Sequence, residues 1–176
     1  MEVKVADIQP EGMRVSLTED PSDIGVLGEN IKVVRPVEAR FSLRKVGTTV
    51  YLEGKIGAEV ELGCSRCGEK YLATLKSTFE MDMSPIESAP AVEERELRAG
   101  DLEVEFFKDG IIDLLDVIRE QILLQVPMKP LCREECKGLC PFCGQDLNIE
   151  KCACEPPKGH PGLAGLKDFF KKDGKE

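Results

Sequence analysis

Eight cysteines in four tight pairs constrain this chain more than any other feature. Three pairs, Cys132-Arg-Glu-Glu-Cys136, Cys140-Pro-Phe-Cys143 and Cys152-Ala-Cys154, crowd into one stretch, and the fourth, Cys64-Ser-Arg-Cys67, lies far upstream. Gly68 and Gly144 follow the two pairs of two-residue spacing. That form is a metal knuckle: two thiolates grip one ion from a tight turn, and the glycine supplies a backbone angle that a side chain would obstruct. Four pairs make two tetrahedral four-thiolate sites with no sulfur left over, so two zinc ions are the expected cofactors.

Disulfides and thiol redox chemistry compete with this reading. The opening MEVKVADIQPEGMRV lacks the apolar centre of a secretory signal, and no stretch approaches the roughly 18 apolar residues that span a bilayer. A reducing cytoplasm is therefore expected, and clustered cysteines there bind metal more often than they pair. A thioredoxin-type pair would have to open a helix, whose N-terminus lowers the thiol pKa. The segments flanking Cys64 read as strands instead. Cys136, Cys140 and Cys143 match the spacing of radical S-adenosylmethionine iron-sulfur enzymes, but the large barrel of those enzymes does not fit in the 33 residues after Cys143.

The strands are legible from alternation. Val37, Ala39, Phe41 and Leu43 oppose Glu38, Arg40, Ser42 and Arg44; after a turn at Val46-Gly47-Thr48, the even positions from Val50 to Leu62 are apolar or glycine. Ala73, Leu75, Phe79 and Met81 continue the pattern beyond the Cys64 turn. The three segments predict an antiparallel β-meander, bent at Gly54 or Gly57, with Cys64 and Cys67 at a hairpin tip. Before it, Val3, Val5, Val15 and Leu17 suggest one or two edge strands, and Asp20 to Asn30 reads as a loop punctuated by Pro21, Gly25 and Gly28.

Residues 84–105 form an acidic linker containing Pro85, Pro90, Glu93, Glu94 and Glu96, and Leu102, Val104 and Phe106 mark a short strand at its end. A helix is expected over 113–126, capped by Asp113 and stopped by Pro127, with Leu114, Leu115, Ile118, Ile122 and Leu123 on its apolar face. Laid across the sheet, it delivers Cys132 and Cys136 to one sheet end. His160 sits in a loop, and Leu163, Leu166, Phe169 and Phe170 mark a short terminal amphipathic helix.

The fold expected is therefore α+β: an antiparallel meander covered by one amphipathic helix, then a zinc-ribbon-like segment and the short helix. Residues 1–128 form the body and 129–176 a cysteine-rich tail packed on it. Three pairings of the dyads are possible. Cys140, Cys143, Cys152 and Cys154 close the shorter loop at lower entropic cost, leaving Cys64 and Cys67 for Cys132 and Cys136.

Charge limits the partners. The net charge is −9, so no global attraction to nucleic acid exists and any RNA contact must be local. Residues 129–176 carry nine basic and eight acidic side chains, leaving the acidity in the body. With five per cent aromatic residues and no Trp, the core is lean enough for metal cross-links to matter.

The CSRCG hairpin, the acidic linker, the segment IDLLDVIREQILLQVPMKPLCREECKGLCPFCGQDLN, the CxC pair and the closing GLAGLKDFF together resemble the YceD family of bacterial and plastid proteins. The resemblance implies a part in accumulation of large-subunit ribosomal RNA, through its synthesis, processing or stability. The family has no established catalytic residues, so no enzyme is expected.

A non-enzymatic ribosome-biogenesis factor is thus the leading expectation. Its partner would be a large-subunit RNA precursor or a basic ribosomal protein, with no membrane and no small-molecule substrate. Arg66, Lys129, Arg133 and Lys137 are the candidate RNA-binding residues, all beside thiols. An iron-sulfur or thiol redox protein and a zinc scaffold for proteins alone are the alternatives; an iron-sulfur protein would purify brown.

Overall fold

The computed structural model describes residues 1–28, 30–88 and 104–154. The chain falls into two compact units, Met1–Cys136 and Lys137–Glu176. The first unit runs past the boundary expected after residue 128, because the Cys132–Cys136 loop returns to the Cys64 hairpin. Most of the acidic linker, Leu102, His160 and the terminal segment from Leu163 to Phe170 lie outside the described residues.

The first unit is built on a sheet ordered β2 (Met13–Glu19), β4 (Val37–Val46), β5 (Thr49–Gly63), β6 (Lys70–Pro85) and β7 (Val104–Phe107). Strands β4, β5 and β6 pair antiparallel in chain order, with Phe41 opposite Gly54 and Gly54 opposite Phe79. The expected alternation sets their faces: Val37, Ala39, Phe41, Leu43 and the even positions from Val50 to Leu62 are buried, whereas Arg40, Glu53 and Lys55 face solvent.

A short strand β3 (Ile31–Val33) precedes β4 and pairs with the same edge of β5, Val33 opposite Val60 and Glu38 opposite Gly57. The Val34 amide still donates to the Glu59 carbonyl at 3.0 Å. The two are one track broken at Pro36, which has no N–H for the ladder.

The edge strand expected from Val15 and Leu17 is present, whereas β7 departs from the antiparallel arrangement. Met13–Glu19 joins the outer edge of β4, and β7 pairs with β6 in parallel, Val104 opposite Asp82. A parallel neighbour requires a crossover of a dozen or more residues, and the stretch between Pro85 and Val104 is long enough to supply it. Alternation marks a strand but not its direction. A separate two-stranded sheet pairs β1 (Glu2–Lys4) with β8 (Ile111–Asp113).

Within the expected loop, Pro21–Ile24 forms one helical turn, α1, whose Ile24 is buried. The main helix, α2 (Leu114–Gln125), packs on β5 and β6. The Asp113 carboxylate accepts the Leu115 amide at 2.9 Å, the capping expected. The Arg119 guanidinium stitches the helices together by donating to the carbonyls of Asp23 and Ile24, each at 2.8 Å.

The buried face of α2 is Leu114, Val117, Ile118, Gln121 and Ile122, whereas Leu123 is 41% exposed. The true stripe is thus rotated from the purely apolar one. Gln121 is tolerated inside because the Ser77 hydroxyl, equally buried on β6, donates to its Oε1 at 3.0 Å. A polar pair that satisfies itself across two elements leaves no trace in hydropathy.

Gly54 occupies the centre of the sheet for a steric reason. A Cβ there would lie 2.3 Å from the Phe79 ring, which in turn packs edge-on against Phe41 with centroids 6.4 Å apart. Gly54→Val is therefore expected to lower stability by about 1–3 kcal/mol in denaturant melts. Adding Phe79→Ala should cost less in the Gly54→Val background than in the wild type; equal costs would contradict the steric account.

Candidate metal centre

The β5–β6 hairpin ends in a knuckle made by the residues around Cys64. The Cys64 amide donates to the Glu69 carbonyl at 2.9 Å, and the Gly68 amide donates to the Cys64 carbonyl at 2.9 Å. Gly68 takes φ +75°, a left-handed conformation open to glycine. The second unit repeats the pattern: the Cys140 amide donates to Gln145 at 2.8 Å, the Gly144 amide to Cys140 at 2.9 Å, and Gly144 also has φ +75°. Two segments far apart in sequence thus fold into the same thiol-presenting turn.

After Pro127 and Pro130 stop α2, the chain turns back to this hairpin. The Ser65 amide donates to the Pro130 carbonyl at 2.8 Å, and the Arg66 guanidinium donates to the Cys136 carbonyl at 2.6 Å and the Glu134 carbonyl at 3.3 Å. Cys64 and Cys136 place their sulfurs 3.8 Å apart, as do Cys67 and Cys132. All four sulfurs lie within 4.8 Å of one another. Cys140, Cys143, Cys152 and Cys154 form a second such group inside the second unit.

These separations fit a shared ion and not a bond between sulfurs. A disulfide needs about 2.05 Å, and none of the eight cysteines is disulfide-bonded. Four thiolates about 2.3 Å from a central zinc-sized ion stand roughly 3.8 Å apart along each tetrahedral edge. The first tetrad meets that edge length twice. Both tetrads can therefore hold a metal ion, paired as the loop-closure argument expects.

The tetrads differ in cover. Cys64, Cys67 and Cys136 are buried among Tyr71, Leu131 and the half-buried Cys132. In the second, Cys140 is buried but Cys143 and Cys154 are exposed. Tyr71 and Leu131 were not singled out from sequence, because an aromatic or aliphatic residue beside a thiol looks like ordinary core. Burial and the neighbouring Cys64 charge raise the Tyr71 phenol above its ordinary pKa.

Backbone amides ready one sulfur in each group. The Cys132 amide holds Cys64 down to about 6 against the opposing effect of burial, and the Cys143 and Phe142 amides do the same for Cys140, also about 6. Burial, reinforced by the other thiols of its group, pushes Cys132 up to about 12; the Cys143 thiol does so for Cys154, also to about 12. Each group thus holds one ready thiolate, Cys64 or Cys140, and one thiol, Cys132 or Cys154, that keeps its proton until a cation displaces it.

Of the candidate RNA-binding residues, Arg66, Lys129 and Arg133 are exposed at the first tetrad's edge, one residue from Ser65, Pro130 and Glu134 respectively. Arg66 is engaged with backbone carbonyls and braces the loop. Lys137 is exposed in the second unit, and its amide donates to Asn148 Oδ1 at 2.8 Å.

A sheet body whose hairpin tip and helix exit share one four-cysteine group, followed by a unit with a second, defines a protein built around two metal-competent sites. The chain belongs to the YceD family. A match to "Large ribosomal RNA subunit accumulation protein YceD" spans residues 52–170 and takes in all eight cysteines. It is 29% identical to the chloroplastic YCED homolog 1 of Zea mays over 85% of this chain, and 26% identical to that of Arabidopsis thaliana over 76%. The chain spans 60% and 49% of those two relatives' lengths. It is also 30% identical to the YceD protein of Haemophilus influenzae, over 47% of this chain and 45% of that one. No solved structure matches it. Among the described residues no helix is long and apolar enough to cross a membrane.

Since binding must displace protons, zinc affinity measured against a chromophoric chelator should fall at least about tenfold per pH unit from pH 8 to 6. A flat profile would mean that the sulfurs do not carry the ion. Cys64→Ser should lose one ion of two and speed amide exchange at Ser65 and Gly68. Retention of both ions would contradict the shared site.

Proposed function

We propose that the chain is a non-enzymatic ribosome-biogenesis factor, working in the cytoplasm, that supports the synthesis, processing or stability of large-subunit ribosomal RNA. Both tetrads hold zinc in this reading, the second as a zinc-ribbon-like module, and the metal serves structure, not catalysis. Family membership carries the reading, since the family and its named relatives are described by accumulation of that RNA.

The first tetrad supplies a physical role for the metal. It ties the β5–β6 hairpin to the loop after α2, so Arg66, Lys129 and Arg133 stand on a braced edge instead of two loose loops. Arg66 orders that edge from within, leaving Lys129 and Arg133 as the better placed for phosphate. The same edge bears exposed Glu69, Glu134 and Glu135, which favours a second reading in which a basic ribosomal protein docks there.

Two experiments separate these readings. In cells lacking the gene, the ratio of large- to small-subunit ribosomal RNA should fall and the wild-type chain should restore it; an unchanged ratio would contradict the function. Lys129→Glu with Arg133→Glu should reduce co-sedimentation with large-subunit precursors severalfold if the edge binds RNA. Glu134→Lys with Glu135→Lys should do so if it binds a basic protein.

A further inference from the structure

The face of the sheet turned away from α2 carries an arrangement that the fold does not need. By strand alternation, Val15, Phe41, Gly54 and Phe79 form one inward row, and the rows on either side point outward. One outward row runs Arg14, Ser42, Glu53, Glu80; the other runs Ser16, Arg40, Lys55, Thr78. Between them lies an open cleft of about 350 Å³, floored by the backbone of the inward row.

The charges in this cleft are set against stability. Arg40 stands directly opposite Lys55, and Glu53 directly opposite Glu80. Like charges opposed across strands destabilise a sheet. Among the described residues Arg14, Arg40 and Lys55 make no ion pair, although farther along the same face Arg35 pairs with Glu59 at 3.2 Å and Lys70 with Glu61 at 3.0 Å. Neutralising pairs are thus built where β5 approaches the cysteines and withheld in the cleft.

We propose that this cleft is an RNA-binding groove, in which Arg14, Arg40 and Lys55 hold backbone phosphates of a single strand while Glu53 and Glu80 accept hydrogen bonds from ribose 2′-hydroxyls or base amines. Three cations beside three hydroxyl side chains suit phosphate oxygens. The two carboxylates are acceptors only, so they repel a bare polyanion and favour a strand that brings its own donors. That selects RNA over DNA and over an acidic peptide. The groove goes beyond the metal-braced edge: Cys64 lies nine positions along the chain from Lys55, about 30 Å of extended strand. It rests on the proposed function only in taking RNA as the partner.

The test uses the full, zinc-loaded chain and a fluorescein-labelled single-stranded RNA 12-mer of mixed sequence, with the same sequence as DNA for comparison. Anisotropy is read across a salt series. Arg40→Gln with Lys55→Gln should weaken RNA binding about tenfold and flatten the log-log salt slope by about 1.4, two phosphates' worth on a single strand. Glu53→Gln with Glu80→Gln should improve DNA binding and narrow the preference for RNA. All four positions are solvent-exposed, and unchanged circular dichroism and zinc content verify the fold. Wild-type affinity and slope in the Arg40 and Lys55 variant would overturn the groove. If Lys129→Glu with Arg133→Glu then abolished binding, the proposed function would stand without it. A wild-type chain that bound neither strand but still restored ribosomal RNA in cells would overturn the groove and leave protein docking as the function.

Discussion

The first unit depends on four sulfurs meeting at one point. Cys64 and Cys67 come from a hairpin tip and Cys132 and Cys136 from the loop after α2, with 64 residues between the inner pair. Without a link, the two loops would be held by the Ser65 and Arg66 hydrogen bonds and by packing against Tyr71 and Leu131. A cross-link across a loop of that length removes on the order of 4 kcal/mol of unfolded-chain entropy by the same argument that applies to disulfides. For a protein with few aromatic residues, that is a large share of the net stability.

The knuckle repeats because its chemistry is local. Two thiols, two intervening residues and a left-handed glycine place backbone amides around the first sulfur; at Cys140 these amides lower the pKa to about 6, whereas at Cys64 the largest lowering comes from the Cys132 amide of the facing loop. Its partners differ in origin. The second group closes on itself within the tail, with Cys143 and Cys154 exposed, whereas the first gathers distant elements and is mostly buried. One tetrad organises the body; the other organises its own short segment.

The parts most legible in sequence were those governed by a period or a spacing. Alternation located β4, β5 and β6, Asp113 marked the start of α2, and dyad spacing with loop closure gave the cysteine grouping. What escaped depended on contacts between elements. Gln121 is buried with Ser77 facing it, β7 runs parallel to β6 where alternation carries no direction, and β3 joins the same edge of β5 as β4 on the other side of Pro36. Arg66 looked like a free cation because its carbonyl partners lie some 70 residues away. The cations of the outer face read as ordinary solvated positions until register set Arg40 against Lys55.

Under the proposed function, these features join into one account of how an acidic protein could serve ribosomal RNA. Its net charge gives no broad attraction to nucleic acid, so the proposed contacts are confined to small surfaces on the sheet and at the cysteine edge. The account stands or falls on which sulfurs share an ion. Cadmium-113 substitution followed by proton–cadmium correlation spectroscopy reads this directly. Two cadmium resonances are expected, one coupled to the β-protons of Cys64, Cys67, Cys132 and Cys136 and the other to those of Cys140, Cys143, Cys152 and Cys154. A resonance mixing the two sets, or none coupled to Cys64 and Cys67, would contradict it.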